Sequence, residues 1–121
     1  MKIINFEKVD TIFRDDGRTI KKLCYQELGI SIDNLEFIFV THPINFTEQL
    51  HCHQHSFEIF YFLDPADYYI NGKEYSVSQG DLIIFEPGDV HGGLPTENEV
   101  KLFIISAPRI INDKKLIGDK N

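Results

Sequence analysis

Residues 58–85 read EIFYFLDPADYYINGKEYSVSQGDLIIF, short runs of β-branched and aromatic residues separated by turn signals. Asn71-Gly72, between YYI and KEY, is the strongest hairpin signal of the chain, because both residues tolerate the positive φ of a type I′ turn. Gly80-Asp81 and Pro87-Gly88 punctuate the strand that follows. Nowhere does a window of useful length sustain apolar residues at helical spacing, so the domain is read as mostly β.

Working outward, the same signals predict strands over 3–6, 19–23, 35–41, 47–53, 57–63, 68–70, 73–77, 81–85 and 100–106. Within EIFYFL, Phe60 and Phe62 alternate with Ile59, Tyr61 and Leu63, so neither face is built for water. That pattern suits a closed barrel, or a sandwich whose outer sheet is covered by a further partner. A homodimer is the economical source of that partner, with an exposed sticky patch as the bland alternative. The tail RIINDKKLIGDKN after Pro108 has little apolar content and is expected to be a short helix or a frayed end.

The chain has 121 residues and a formal net charge of -7. That length makes one domain over 1–121, with the barrel core over about 19–106 and the tail over 107–121. The acidic balance argues against a nucleic-acid partner and against an anionic membrane surface. MKIINFEKVD has no long apolar core, so neither a signal peptide nor a membrane anchor is expected. Cys24 and Cys52 are too few for a disulfide scaffold, and a cytoplasmic location is the expectation. Cys52 is read as a structural thiol facing away from the histidines beside it.

Overlapping the opening stretch at Glu58 stands HCHQHSFE, residues 51–58, which carries three of the chain's five histidines. In a strand His51, His53 and His55 share one face. Three imidazoles inside a barrel without partners would cost on the order of 1 to 3 kcal/mol apiece, and a shared cation satisfies them together. Glu58 offers a carboxylate, and His91 follows GDLIIFEPGDV in a second turn-rich segment. Imidazoles with a carboxylate suit Mn, Fe, Co, Ni or Zn, and positions left over for water or substrate make such a site an open one.

The pairing of these segments resembles the cupin superfamily, whose first motif runs Gly-x5-His-x-His-x3 or 4-Glu-x6-Gly and whose second runs Gly-x5-Pro-x-Gly-x2-His-x3-Asn. His51, His53 and Glu58 fit the first, and Gly80, Gly88 and His91 the second. The resemblance covers about residues 35 to 106. Turn positions depart from it: Asn45 and Pro65 replace the glycines of the first motif, and Glu86 and Pro95 replace the proline and asparagine of the second. The resemblance implies a double-stranded β-helix, or jelly-roll, barrel with His51, His53, Glu58 and His91 as ligands of a Mn, Fe, Ni or Zn ion. His55 is the rival ligand, although pairing it with His53 shortens the spacing to Glu58; the turn between strands is its other place. His42, before Pro43, is read as a surface residue.

If the odd positions of 47–53 face inward, Thr47 and Gln49 join the pocket, with His55 at its edge and Phe60 and Phe62 on the Glu58 side. Such a pocket suits a small, partly apolar, oxygen-bearing molecule. Glu86, close to His91 in sequence, is the candidate general base. The resemblance allows dioxygenases, isomerases, epimerases and lyases, with an oxygen-using reaction favoured. HSFEIFYFL with YYINGKEY is also similar to the sugar-sensing cupin domains of AraC-type regulators, which implies a non-catalytic binding module as the alternative.

Overall fold

The computed structural model describes residues 1–118, and residues 119–121 of the predicted tail lie outside the described part. Its strands are β1 (Lys2–Ile4), β2 (Ile12–Phe13), β3 (Thr19–Ile20), β4 (Glu36–His42), β5 (His51–His53), β6 (Phe57–Phe62), β7 (Ala66–Ile70), β8 (Lys73–Val77), β9 (Leu82–Phe85), β10 (His91–Gly93), β11 (Val100–Ala107) and β12 (Lys114–Leu116). One five-stranded sheet runs β1-β9-β6-β11-β4 and a second runs β12-β5-β10-β7-β8, while β2 and β3 pair separately. All pairs are antiparallel. The fold is a nearly all-β double-stranded β-helix of two facing sheets.

The opening stretch forms the centre of this arrangement for the reasons legible in its residues. On β6, Glu58, Phe60 and Phe62 are buried and face the interior, whereas Ile59 and Tyr61 are half-buried on the outer face. Phe60 and Phe62 pack with Tyr68, Ile70, Ile83, Phe85, Leu102 and Ile104 in one cluster drawn from both sheets. Burying each such side chain is worth roughly 1.5–3 kcal/mol, which makes this cluster the main stabilising element. Asn71 (φ 47) and Gly72 (φ 87) make the two-residue turn between β7 and β8, with Ile70 opposite Lys73.

Gly80 and Asp81 do more than end a strand. Gly80 has φ 89, and an added Cβ would lie 2.9 Å from the Phe6 ring. Buried Asp81 accepts the Phe6 N–H at 2.8 Å and the Ser78 N–H at 2.8 Å, fastening the N-terminal segment to this turn.

The predicted helical or frayed tail is corrected: Lys114–Leu116 is an edge strand, with Lys114 opposite His53. Its anchor is polar, which is why apolar content did not reveal it. Buried Asp113 accepts the N–H groups of His55 and Ser56 at 3.0 Å, and its carbonyl accepts the Gln54 N–H at 3.1 Å. The outer face of the first sheet is covered in part by the chain itself, since Leu28 packs with Phe57, Ile59, Ile84 and Ala107. Phe37, Phe39 and Phe103 on that face stay exposed.

Candidate metal centre

Four sequence-predicted residues converge between the two sheets. His51 and His53 come from β5, His91 from β10 and Glu58 from β6. One ligand atom from each of His51, His53 and Glu58 lies within 4.8 Å of the others. Glu58 Oε1 is 3.0 Å from His53 Nε2 and 3.2 Å from His91 Nε2, and the rings of His51 and His91 lie 4.5 Å apart. Antiparallel pairing of His91 with His51 produces this convergence from segments forty residues apart in the chain.

Backbone carbonyls fix how two of the imidazoles present themselves. His51 Nδ1 is 2.9 Å from the Gln49 carbonyl, and His91 Nδ1 is 2.9 Å from the Asp89 carbonyl. A carbonyl oxygen only accepts, so each Nδ1 carries the hydrogen and each neutral ring turns the lone pair of Nε2 inward. For His91 that lone pair meets the carboxylate of Glu58 at 3.2 Å. Two acceptors at that separation repel unless a proton or a cation lies with them. The donor set, its orientation and this contact therefore fit a divalent transition metal.

In metal-free protein a proton takes the place of the cation. Burial pushes the Glu58 carboxyl up, but hydrogen bonds donated by His53 and His91, with their charges, outweigh it and bring the carboxyl down to about 2. Burial lowers His51 against the opposing pull of the Gln49 carbonyl. A carboxyl lowered below its unfolded value stabilises the fold above pH ~4.5 and loses that contribution as pH falls toward 2. A lowered imidazole likewise contributes above its unfolded value near 6.5 and loses that on acidification. In metal-free protein, Glu58 alone is expected to remove about 3 kcal/mol of unfolding free energy across its window. Urea unfolding at pH 7, 5 and 3 checks this, and a profile as flat in the native protein as in Glu58→Gln contradicts it.

His51, His53 and Glu58 form one end of a cavity of about 230 Å³, with His91 fully buried behind them. Phe60 lines it as predicted, together with Ile38 and Val40 of β4 and Ile104 of β11. Phe62 does not: it is fully buried behind Phe60, in the core. Thr47 and Gln49 are also corrected, since both line a surface groove beside Tyr69 and Ile117 instead. The cause is one extra residue. The Glu48 N–H donates to the Gly93 carbonyl, while His51 pairs with His91, so the chain takes three steps where its partner takes two. The bulge reverses the alternation, and Glu48 faces the cavity.

His55 lies outside the cavity as well. Its ring is 71% exposed and its Nδ1 is 2.9 Å from Asp113 Oδ1, in the turn after β5. Glu86 is corrected most sharply: its side chain is 60% exposed, 3.9 Å from the terminal amine of Met1, on the turn after β9. Phe85 points inward and stacks on His91 at 3.9 Å, so the next residue must leave the interior. Cys52 is a buried free thiol that does not line the cavity.

Sequence reasoning missed other lining residues, among them His42, Glu48, Tyr68 and Lys114. His42 shares the inward face of β4 with Ile38 and Val40, a period-two signal that the following proline obscured. Tyr68 shares the inward face of β7 with buried Ala66 and Ile70 in the same way. Glu48 and Lys114 depend on the bulge and on the tail strand, and no local pattern announces either.

A cupin-domain family model matches residues 37–106. The chain belongs to the cupin family. Among solved structures, this cupin superposes on a double-stranded β-helix protein of Klebsiella pneumoniae with a TM-score of 0.63 and 20% identity, covering 74% of this chain and 80% of that one. The DMSP lyase DddQ of Ruegeria pomeroyi gives a TM-score of 0.65 at 18% identity, over 74% of this chain and 46% of the lyase. A salicylate 1,2-dioxygenase of Pseudoaminobacter salicylatoxidans, solved with gentisate adducts, gives 0.62 at 16% identity, over 71% of this chain and 25% of the dioxygenase. This cupin thus spans about half of the lyase and a quarter of the dioxygenase. No curated protein matches it. At these identities the likeness is one of fold. No helix among the described residues is long and apolar enough to cross a membrane.

Proposed function

We propose that His51, His53, Glu58 and His91 hold a divalent Mn, Fe, Ni or Zn ion, and that this cupin is an enzyme acting on a small oxygen-bearing organic substrate. The observation that carries the reading is the convergence of His53 Nε2 and His91 Nε2 on one oxygen of Glu58, at 3.0 and 3.2 Å, with the His51 ring 4.5 Å from that of His91. Three imidazoles and one carboxylate leave coordination positions open, and a cavity of about 230 Å³ adjoins them. An apolar cavity near 150 Å³ already admits benzene, so a single-ring molecule fits.

Bound there, the ion would supply a Lewis acid for a substrate oxygen and, if redox-active, the means for oxygen chemistry. The protein's own groups do the rest. The Gln49 and Asp89 carbonyls hold two rings in one tautomer, Phe60, Ile38 and Val40 give the cavity an apolar wall, and Lys114 adds a positive charge to its lining. A dioxygenase-type reaction is the assignment we favour, with isomerase, epimerase or lyase chemistry as the competing one. The rival class is a non-catalytic binding or sensing module for a sugar-like molecule. It gains from the position of Glu86, since the base nominated by sequence stands outside the cavity. The exposed Phe37, Phe39 and Phe103 support a homodimer through the outer face of the first sheet, and sedimentation at the 14.0 kDa of one chain would contradict that. We place the protein in the cytoplasm, where Cys24 and Cys52 stay reduced.

The test is elemental analysis of untagged protein purified without added metal, with thermal unfolding before and after chelation. Near-stoichiometric Mn, Fe, Ni or Zn is expected. Metal at about 100 times its dissociation constant adds roughly 2.7 kcal/mol, so chelation should lower the melting point by several degrees. Protein free of metal and indifferent to chelator and added ions overturns the proposal.

A further inference from the structure

Tyr68 is a buried residue with an unexplained hydroxyl. Its side chain is 1% exposed, yet among the described residues it is the buried side chain whose polar atom has no hydrogen-bond partner. Buried hydroxyls without partners are unfavourable and are usually removed by selection for stability, so one that borders a cavity calls for an external partner.

Its surroundings form a second polar end of the cavity. Tyr68 stands opposite Gly93 on β10, two residues beyond His91, a separation of about 6.6 Å along a strand. A Cβ on Gly93 would lie 3.1 Å from the His42 ring and 3.7 Å from Tyr68 Cζ, so the bare glycine leaves room for both rings. Glu48 lines the same end, with Oε1 accepting the Gly93 N–H at 3.1 Å and its other oxygen uncommitted among the hydrogen bonds of the described residues. Phe60 bridges the two ends, its ring centroid 5.7 Å from His91 and 5.8 Å from Tyr68.

We infer that Tyr68, flanked by His42 and Glu48, is the specificity-determining anchor for a hydroxyl at the end of the ligand remote from the metal. A ligand hydroxyl can accept the Tyr68 O–H and donate to Glu48, satisfying both with one group. A carboxylate or phosphate there would meet the Glu48 charge, so the remote group is neutral. The ligand is then a neutral molecule about one six-membered ring long, with an oxygen at each end and an apolar middle against Phe60. The inference rests on the metal reading above, because the near oxygen is the one placed at that site.

The test uses hydroquinone and phenol as probes, which differ only in the remote hydroxyl, with zinc-loaded protein under argon. Zinc content, calorimetric binding and melting point are measured for the native protein and for Tyr68→Phe, which keeps the ring. Hydroquinone is expected to bind about tenfold or more tighter than phenol to the native protein. Tyr68→Phe should abolish that advantage and leave phenol binding and zinc content unchanged, while the ligand-free variant melts at the native temperature or a few degrees above it. Equal affinities in the native protein, an advantage that survives in Tyr68→Phe, no binding of either probe, or a ligand-free variant that melts several degrees lower overturns the inference. Zinc bound without discrimination defeats this inference alone, whereas failure of the native protein to bind zinc defeats the metal reading beneath it.

Discussion

Glu58→Gln is expected to weaken binding of zinc or manganese by more than about a hundredfold, because loss of an outer partner of a metal ligand already costs 10-fold to 100-fold and here a charged donor is removed. Among the described residues, Glu58 is the only carboxylate whose oxygen lies within 3.2 Å of two of the converging imidazoles. Its amide counterpart has no charge to offset a divalent ion. His55→Ala is the matched control. That ring is held by Asp113 outside the cavity, so metal affinity should stay within twofold or so of native, as expected of surface substitutions. Competition against a fluorescent chelator measures both. If His55→Ala releases metal and Glu58→Gln does not, the ligand set is misassigned.

Phe62→Ala is expected to be the most destabilising single truncation in the core. The side chain is fully buried and makes edge contacts with Phe60 and Tyr68, at ring separations of 6.2 and 5.5 Å. Truncations of this kind remove about 3–5 kcal/mol, which for a chain of this size lowers the melting point by roughly ten degrees or more. Phe39→Ala, at a position 51% exposed, should change stability by about 0.5 kcal/mol or less in the monomer. Denaturant unfolding of the two variants decides the matter, and similar losses for both would contradict the assignment of inner and outer faces.

The predictions differ in origin, and the difference shows where sequence carries information. The β6 to β9 block was legible because local signals agreed with one another. Phe60 and Phe62 alternate with Ile59 and Tyr61, Asn71-Gly72 can only turn tightly, and Gly80-Asp81 closes the next loop. β10 was not legible, since HGG has no β-branched residue and depends on neighbours at His51 and Ile70 for its pairing. β12 was hidden because Asp113 holds it with hydrogen bonds and not with apolar area.

The site divides along the same line. Residues tied to an interior strand by alternation, such as Glu58 and Phe60, could be placed from sequence. Thr47, Gln49 and Glu48 exchanged sides because a single extra residue before His51 reverses every alternation upstream of it. Glu86 shows that closeness to His91 in sequence is not closeness in space, as a tight turn aims it at solvent beside Met1. The hydrogen-bond partners of the imidazoles are carbonyls of residues 49 and 89, whose identity no side-chain pattern records.

The central claim is that three imidazoles and one carboxylate converge on one ion, and X-ray absorption of the zinc-loaded protein tests it most directly. The account predicts a first shell of nitrogen and oxygen at about 2.0–2.2 Å with the outer-shell scattering of three imidazole rings and no sulfur. A sulfur contribution at about 2.3 Å, which would bring in Cys52, or the scattering of a single imidazole would contradict it.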